Sequence, residues 1–101
     1  MLTLTKHSKE RAKERGIPFS VLTKVSNLDE KYSYKGFANG ENCVKRIFSD
    51  INLQFALHDG HINKFEFHKL KNLCLVVNNK YNQIITLYPL DPMQHSNQIY
   101  I

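Results

Sequence analysis

Leu73-Cys-Leu-Val-Val-Asn-Asn-Lys-Tyr-Asn-Gln-Ile-Ile-Thr-Leu-Tyr88 is the stretch on which the fold class turns. Two apolar runs, 73–77 and 84–88, flank the polar segment 78–82. Each run is too short for a helix, and the β-branched residues favour strands. The pattern predicts a hairpin buried on much of both faces and placed at the centre of a sheet. Pro89 and Pro92 end it.

Working back from the hairpin, the periodicity stays close to that of strands. Asn63-Lys-Phe-Glu-Phe-His68 follows the turn dipeptide Asp59-Gly60 and reads as a strand. Ile51, Leu53, Phe55 and Leu57 alternate with Asn52, Gln54, Ala56 and His58, which predicts a strand over 51–58. Val44, Ile47, Phe48, Ile51 and Phe55 also fit one helix face, so 42–49 stays open, with flanking turns favouring a strand. Lys31-Tyr-Ser-Tyr-Lys35 alternates and runs into Gly36, with a further turn at Asn39-Gly40.

The first thirty residues differ. Thr3 and Thr5 offer cap oxygens before a polar helix over 6–15, and Gly16 suits its C-terminal end. Leu4 and Ala12 are its inward contacts. Pro18 opens a second helix closing near Asn27, with Ile17, Val21, Leu22 and Val25 at helical spacing. The expected fold class is therefore α+β, with two N-terminal helices packed on an antiparallel four- to five-stranded sheet. One domain over 1–101 is expected, with a core of about 3–89, a tail at 90–101 and a short edge strand at Gln98–Ile101.

Composition narrows the function classes. The 101-residue chain is 42% hydrophobic and 23% charged, which excludes a disordered polymer. No apolar run approaches the roughly 18 residues of a spanning helix, and the N-terminus lacks the pattern of a secretory leader. The expected setting is cytoplasmic, without membrane. Cys43 and Cys74 make neither a disulfide framework nor a zinc spacing. The net charge of +5 points to a polyanionic partner, because neutralised phosphates release counterions. Basic proteins without such a partner are equally common.

His7, Arg11 and Arg15 recur at i, i+4, i+8 and form one stripe about 12 Å long. An imidazole exchanges protons near neutral pH, and guanidinium groups grip phosphate oxygens. RNA cleavage by 2′-hydroxyl attack needs those two chemistries. A solvated basic face gives the same spacing. Lys45 and Arg46 extend a phosphate track only if 42–49 is a strand, and then only one of them faces it. Thr86 and Tyr88 share one face of the last strand, opposite Ile85 and Leu87. Their hydroxyls suit a cleft, and equally suit plain sheet packing. Tyr32, Tyr34, Tyr81 and Phe37 offer rings for base stacking or for the core. His58, His61 and His68 would lie on neighbouring strands without carboxylate or thiol at ligand spacing, so no metal and no cofactor is expected.

The opening His7-Ser-Lys-Glu-Arg11-Ala-Lys-Glu-Arg15-Gly16-Ile17 resembles the H-x-x-x-R-x-x-x-R-G-I start of a group of small bacterial and phage domains. Leu75-Val-Val77 and Ile84-Ile-Thr-Leu-Tyr-Pro89 resemble that group's closing hairpin. The group is placed near RelE/ParE-like toxins, among the barnase-, EndoU-, colicin- and RelE-like nuclease folds. The resemblance spans residues 5–89 and is strongest at both ends. It implies a metal-independent endoribonuclease held in check by a cognate antitoxin or immunity protein. His7, Arg11 and Thr86 become the catalytic candidates, and Arg15, Lys45, Arg46 and Tyr88 the RNA-binding ones. Some members of that superfamily inhibit gyrase instead. The second expectation is therefore a non-catalytic module that binds a protein such as gyrase, an immunity protein or a host defence component.

Overall fold

A computed structural model describes residues 2–90. The chain forms α1 (Lys6–Glu14), α2 (Phe19–Asn27), α3 (Asp50–His58) and α4 (Lys64–Leu70). Its strands are β1 (Thr3–Leu4), β2 (Tyr34–Phe37), β3 (Cys43–Ile47), β4 (Leu73–Asn78) and β5 (Gln83–Pro89). A 3-10 turn over Glu30–Tyr32 precedes β2. The strands make one sheet in the order β1-β5-β4-β3-β2. The class is α+β as expected, and the sheet is mixed rather than antiparallel, because β1 runs parallel to β5. The hairpin is as the sequence predicts, with β4 at the sheet centre. The expected edge strand at 98–101 lies outside the described residues.

Two predicted strands are helices. Over 50–58 the side chains buried deepest are Leu53 and Ala56, at helical spacing, while Ile51 and Phe55 stand exposed. The apparent alternation therefore mixes inward and outward residues. Ser49 starts α3, its hydroxyl accepting from the Asn52 amide at 3.3 Å. The segment after Asp59-Gly60 is α4, and its start is a reciprocal capping box. Asn63 accepts from the Glu66 amide at 2.8 Å, and Glu66 accepts from the Asn63 amide at 2.8 Å. The predicted strand at 31–35 is shifted: Tyr32 belongs to the 3-10 turn, its hydroxyl donating to Asp59 at the end of α3, and pairing begins only at Tyr34. Over 42–49, the strand alternative is the one realised, at 43–47.

The core lies between one face of the sheet and the helices. Ala12 of α1, Val21, Leu22 and Val25 of α2, Leu53 and Ala56 of α3, and Leu70 of α4 close on Leu73, Leu75, Val77, Ile84 and Leu87. Burying each large aliphatic side chain contributes about 1.5–3 kcal/mol. A smaller cluster of Ile47, Cys74 and Leu90, with Tyr88 against it, occupies the opposite face. Leu90 is 4% exposed, so the packed region ends one residue later than the sequence suggests.

A β-bulge sets the facing of β5. Val76 pairs with Thr86 and Val77 with Ile84, leaving Ile85 as the extra residue. Ile84 and Leu87 are consequently the core residues of β5, whereas Ile85 is half-buried. Thr86 and Tyr88 turn to the other face with Val76 and Cys74.

Candidate functional site

Strand β1 is only two residues long, and α1 takes its place beside β5. The hinge is Thr5. Its hydroxyl lies 2.9 Å from the Ile84 carbonyl and 3.1 Å from the Ile85 carbonyl, and it accepts from the Ser8 amide at 3.1 Å. One side chain therefore caps α1 and ties it to the bulge of β5. Ser8 and Ala12, both small and buried, let α1 approach the strand closely. Ser8 is satisfied by donating to the Thr5 carbonyl at 2.8 Å.

That inward pair fixes the rest of the helix. Lys9 and Lys13 lie on the flank that forms a groove with Pro18, Phe19 and Leu22 of the α2 region. A residue advances 100° around a helix, so His7 and Arg11 fall on the opposite flank, away from α2. Helix α2 packs on the core face of the sheet. The His7–Arg11 flank is thus the one turned away from α2, on a helix that lies beside β5. His7 is exposed and makes no hydrogen bond or ion pair among the described residues. Arg11 is half-buried and its Nη1 lies 3.0 Å from Glu14 Oε2. Such an exposed pair is worth no more than about 1 kcal/mol, so a phosphate can compete for the guanidinium. Arg15 is exposed and closes α1, its amide donating to the Arg11 carbonyl at 3.0 Å.

Lys45 belongs to the same face as Thr86. It pairs with Val76, which pairs with Thr86, so the three form one row across β3, β4 and β5. Two strand spacings separate Lys45 from Thr86, roughly 10 Å, within reach of a lysine stem. In the adjoining row are Ile47, Cys74 and Tyr88. Lys45 Nζ lies 5.7 Å from the centroid of the Tyr88 ring. Burial pushes the Tyr88 phenol up, and its contact with Lys45 opposes that rise. Burial likewise pushes the Cys74 thiol up, which leaves it a packing group rather than a nucleophile.

Arg46 is placed elsewhere. It points to the helix side of the sheet, 7% exposed, with Nε donating to Ser33 Oγ at 3.1 Å and Nη2 to the Leu28 carbonyl at 3.3 Å. Its expected RNA-binding role does not fit that position, because period-2 alternation sends adjacent side chains to opposite faces.

Of the aromatic candidates, Tyr34, Phe37 and Tyr81 are exposed, while Tyr32 is buried and donates to Asp59 Oδ2 at 2.6 Å. The three histidines sit not on neighbouring strands but at the end of α3, in the following loop and on α4. No group of three His, Cys, Asp or Glu able to hold a metal occurs among the described residues. No described helix is long and apolar enough to cross a membrane.

Sequence reasoning missed two features. Ser8 is the close-approach residue of α1, signalled only by its spacing from Ala12. The exposed pair Ile51 and Phe55 became visible once α3 proved helical. No family model, curated protein or solved structure matches the chain.

Proposed function

We propose that the protein is a metal-independent endoribonuclease of the toxin type, acting through the α1 flank and the neighbouring face of β5. The observation that supports this reading is the docking of α1 through Thr5 on the bulge of β5, the strand that carries Thr86 and Tyr88, with His7 and Arg11 on the flank of α1 away from α2. Charge agrees with it. Over 6–15, five Lys and Arg against two Glu give +3 of the chain's +5.

In this reading an RNA phosphodiester lies across Arg11 and Arg15, with Lys45 on its far side. The His7 imidazole takes the proton of the 2′-hydroxyl as its oxygen attacks phosphorus. The bond from phosphorus to the 5′-oxygen breaks, and that oxygen takes a proton from water. The products are a 2′,3′-cyclic phosphate and a free 5′-hydroxyl. The guanidinium and ammonium groups offset the charge of the pentacoordinate phosphorus, and the Thr86 hydroxyl donates to a non-bridging oxygen. Tyr88 lines the floor. Purified protein incubated with RNA in EDTA should cleave it, and His7→Ala should slow cleavage at least about 100-fold. Undiminished cleavage by both His7→Ala and Arg11→Ala rejects the site.

A second reading, a non-catalytic module that captures a protein, is favoured by one observation. Ile51 and Phe55, one turn apart on α3, are 60% and 61% exposed beside Gln54 and His58. A contiguous exposed apolar patch is one mark of a protein-contact surface, and this pair would lie at its centre. Growth arrest on expression that survives His7→Ala but disappears in Ile51→Glu or Phe55→Glu would select this reading over cleavage.

A further inference from the structure

Arg46 lines a cleft of about 470 Å³ that includes no residue of α1. The walls are Leu2, Asn27, Leu28 and Asn82, with Asp29 and Glu30 carrying carboxylates. None of the ion pairs among the described residues includes Arg46. A buried guanidinium without a carboxylate in contact costs several kcal/mol, as an order of magnitude. Burial indeed pulls its pKa down, against the opposing fields of Glu30 and then Asp29.

The hydrogen-bond inventory is incomplete in a directed way. A guanidinium has five N–H donors. One is given to Ser33 and one to the Leu28 carbonyl. Among the described residues the buried side-chain polar atom left without a partner is Asp50 Oδ1, not a nitrogen of Arg46. Nη1 is therefore the nitrogen without a bond among the described residues that is not wholly enclosed, on a side chain that lines the cleft.

We infer that this cleft binds a small zwitterion, an α-amino acid. Its carboxylate would accept from the free N–H groups of Arg46, the bidentate arrangement a guanidinium favours. Its ammonium would face Glu30 and the Asp29 oxygen not used in capping the turn, where Asp29 Oδ1 accepts from the Lys31 amide at 2.9 Å. Leu2 and Leu28 are the apolar members of a lining that is otherwise polar, with Asn27 and Asn82 among its residues. A simple anion fits less well. The two carboxylates outnumber the single guanidinium, so phosphate or an RNA strand meets net negative charge at this opening.

The test is titration of the full chain with L-leucine, followed by ¹H–¹⁵N spectra and calorimetry. The inference expects saturable shifts of the Leu2, Leu28 and Asn82 amides. Leucinamide and N-acetyl-leucine, each lacking one charge, should bind about tenfold more weakly or worse. Glu30→Gln, an exposed change that leaves the core intact, should weaken L-leucine by a similar factor. Equal binding of the three compounds overturns the inference, as do absent shifts at those amides or inorganic phosphate shifting them in preference to leucine. RNA cleavage should not change with Glu30→Gln, which keeps this outcome separate from the fate of the ribonuclease reading.

Discussion

Lys45 and Arg46 are neighbours on β3 and have opposite fates. Lys45 joins Val76 and Thr86 on the face away from the helices and lies over the Tyr88 ring. Arg46 is enclosed on the helix side, over Phe48 and against the backbone of Leu28. The same charge one residue apart is a cation on the outer face of the sheet in one case and a buried group lining a cleft in the other. The two faces of this sheet thus differ: one packs the main core against the helices, and the other carries Lys45, Thr86 and Tyr88 around the smaller cluster of Ile47, Cys74 and Leu90.

Breaking the helix-side face should have the largest effect. Leu75 is fully buried among Leu53, Leu70 and Leu87, and Leu75→Ala should destabilise the protein by about 3 kcal/mol in urea unfolding. Val76→Ala, next in sequence but half-buried on the other face, should cost no more than about 1 kcal/mol. Equal losses would remove the distinction between the faces.

The charged pair sharpens it. Arg46→Ala leaves the Leu28 carbonyl and Ser33 hydroxyl without their donor and should cost about 2 kcal/mol of stability, with the salt dependence of RNA binding unchanged. Lys45→Ala should do the reverse, lowering the slope of log affinity against log salt by about one at little cost in stability. Thr5→Val comes next. It removes the cap of α1 and the tie to β5, and should cost about 1 kcal/mol. It should also depress RNA cleavage, because His7 and Arg11 are carried by that helix.

The smallest expected effect concerns neither face but the tie between the 3-10 turn and α3. The Tyr32 hydroxyl, donating to Asp59, pushes its own phenol up to about 12 and holds the Asp59 carboxyl below the ordinary carboxylate range. A lowered carboxyl pKa gives stability present above the unfolded value and lost as pH falls through the folded one. A raised phenol pKa gives stability present below about 10 and lost as pH rises toward about 12. Tyr32→Phe should flatten the dependence of Tm on pH at both ends, measured by calorimetry between the acid and alkaline limbs. Unchanged curves would show that the contact contributes nothing.

The legible parts of this fold were those where local and tertiary preference agree. The runs 73–77 and 84–88 could be little else than strands, and the stripe Ile17, Val21, Leu22, Val25 could only face a core. Residues 51–58 were deceptive because Ile51 and Phe55 are apolar but exposed, so their alternation with Leu53 and Leu57 imitates a strand. The helix was decided by its ends, at the Ser49 cap and at the Asn63 and Glu66 box of α4, and the second of these signals stood in the sequence. The site was legible in part. The spacing of His7 and Arg11 defines a stripe, but the flank it occupies follows from the burial of Ser8, which a polar residue does not announce. Alternation says that Lys45 and Arg46 part company, not which one goes inside. The bulge at Ile85 was illegible for a similar reason: in Ile84-Ile85 either residue has the apolar side chain that the core accepts.

The most direct test of the account is a ¹H–¹⁵N titration of the protein with a 2′-deoxy oligonucleotide, which binds without a nucleophile to be cleaved. The ring signals of His7 and the amides of Arg11, Thr86 and Tyr88 should shift together along one binding curve while the Arg46 Nε–H stays in place. Shifts centred on Arg46 with His7 and Thr86 unmoved would contradict it.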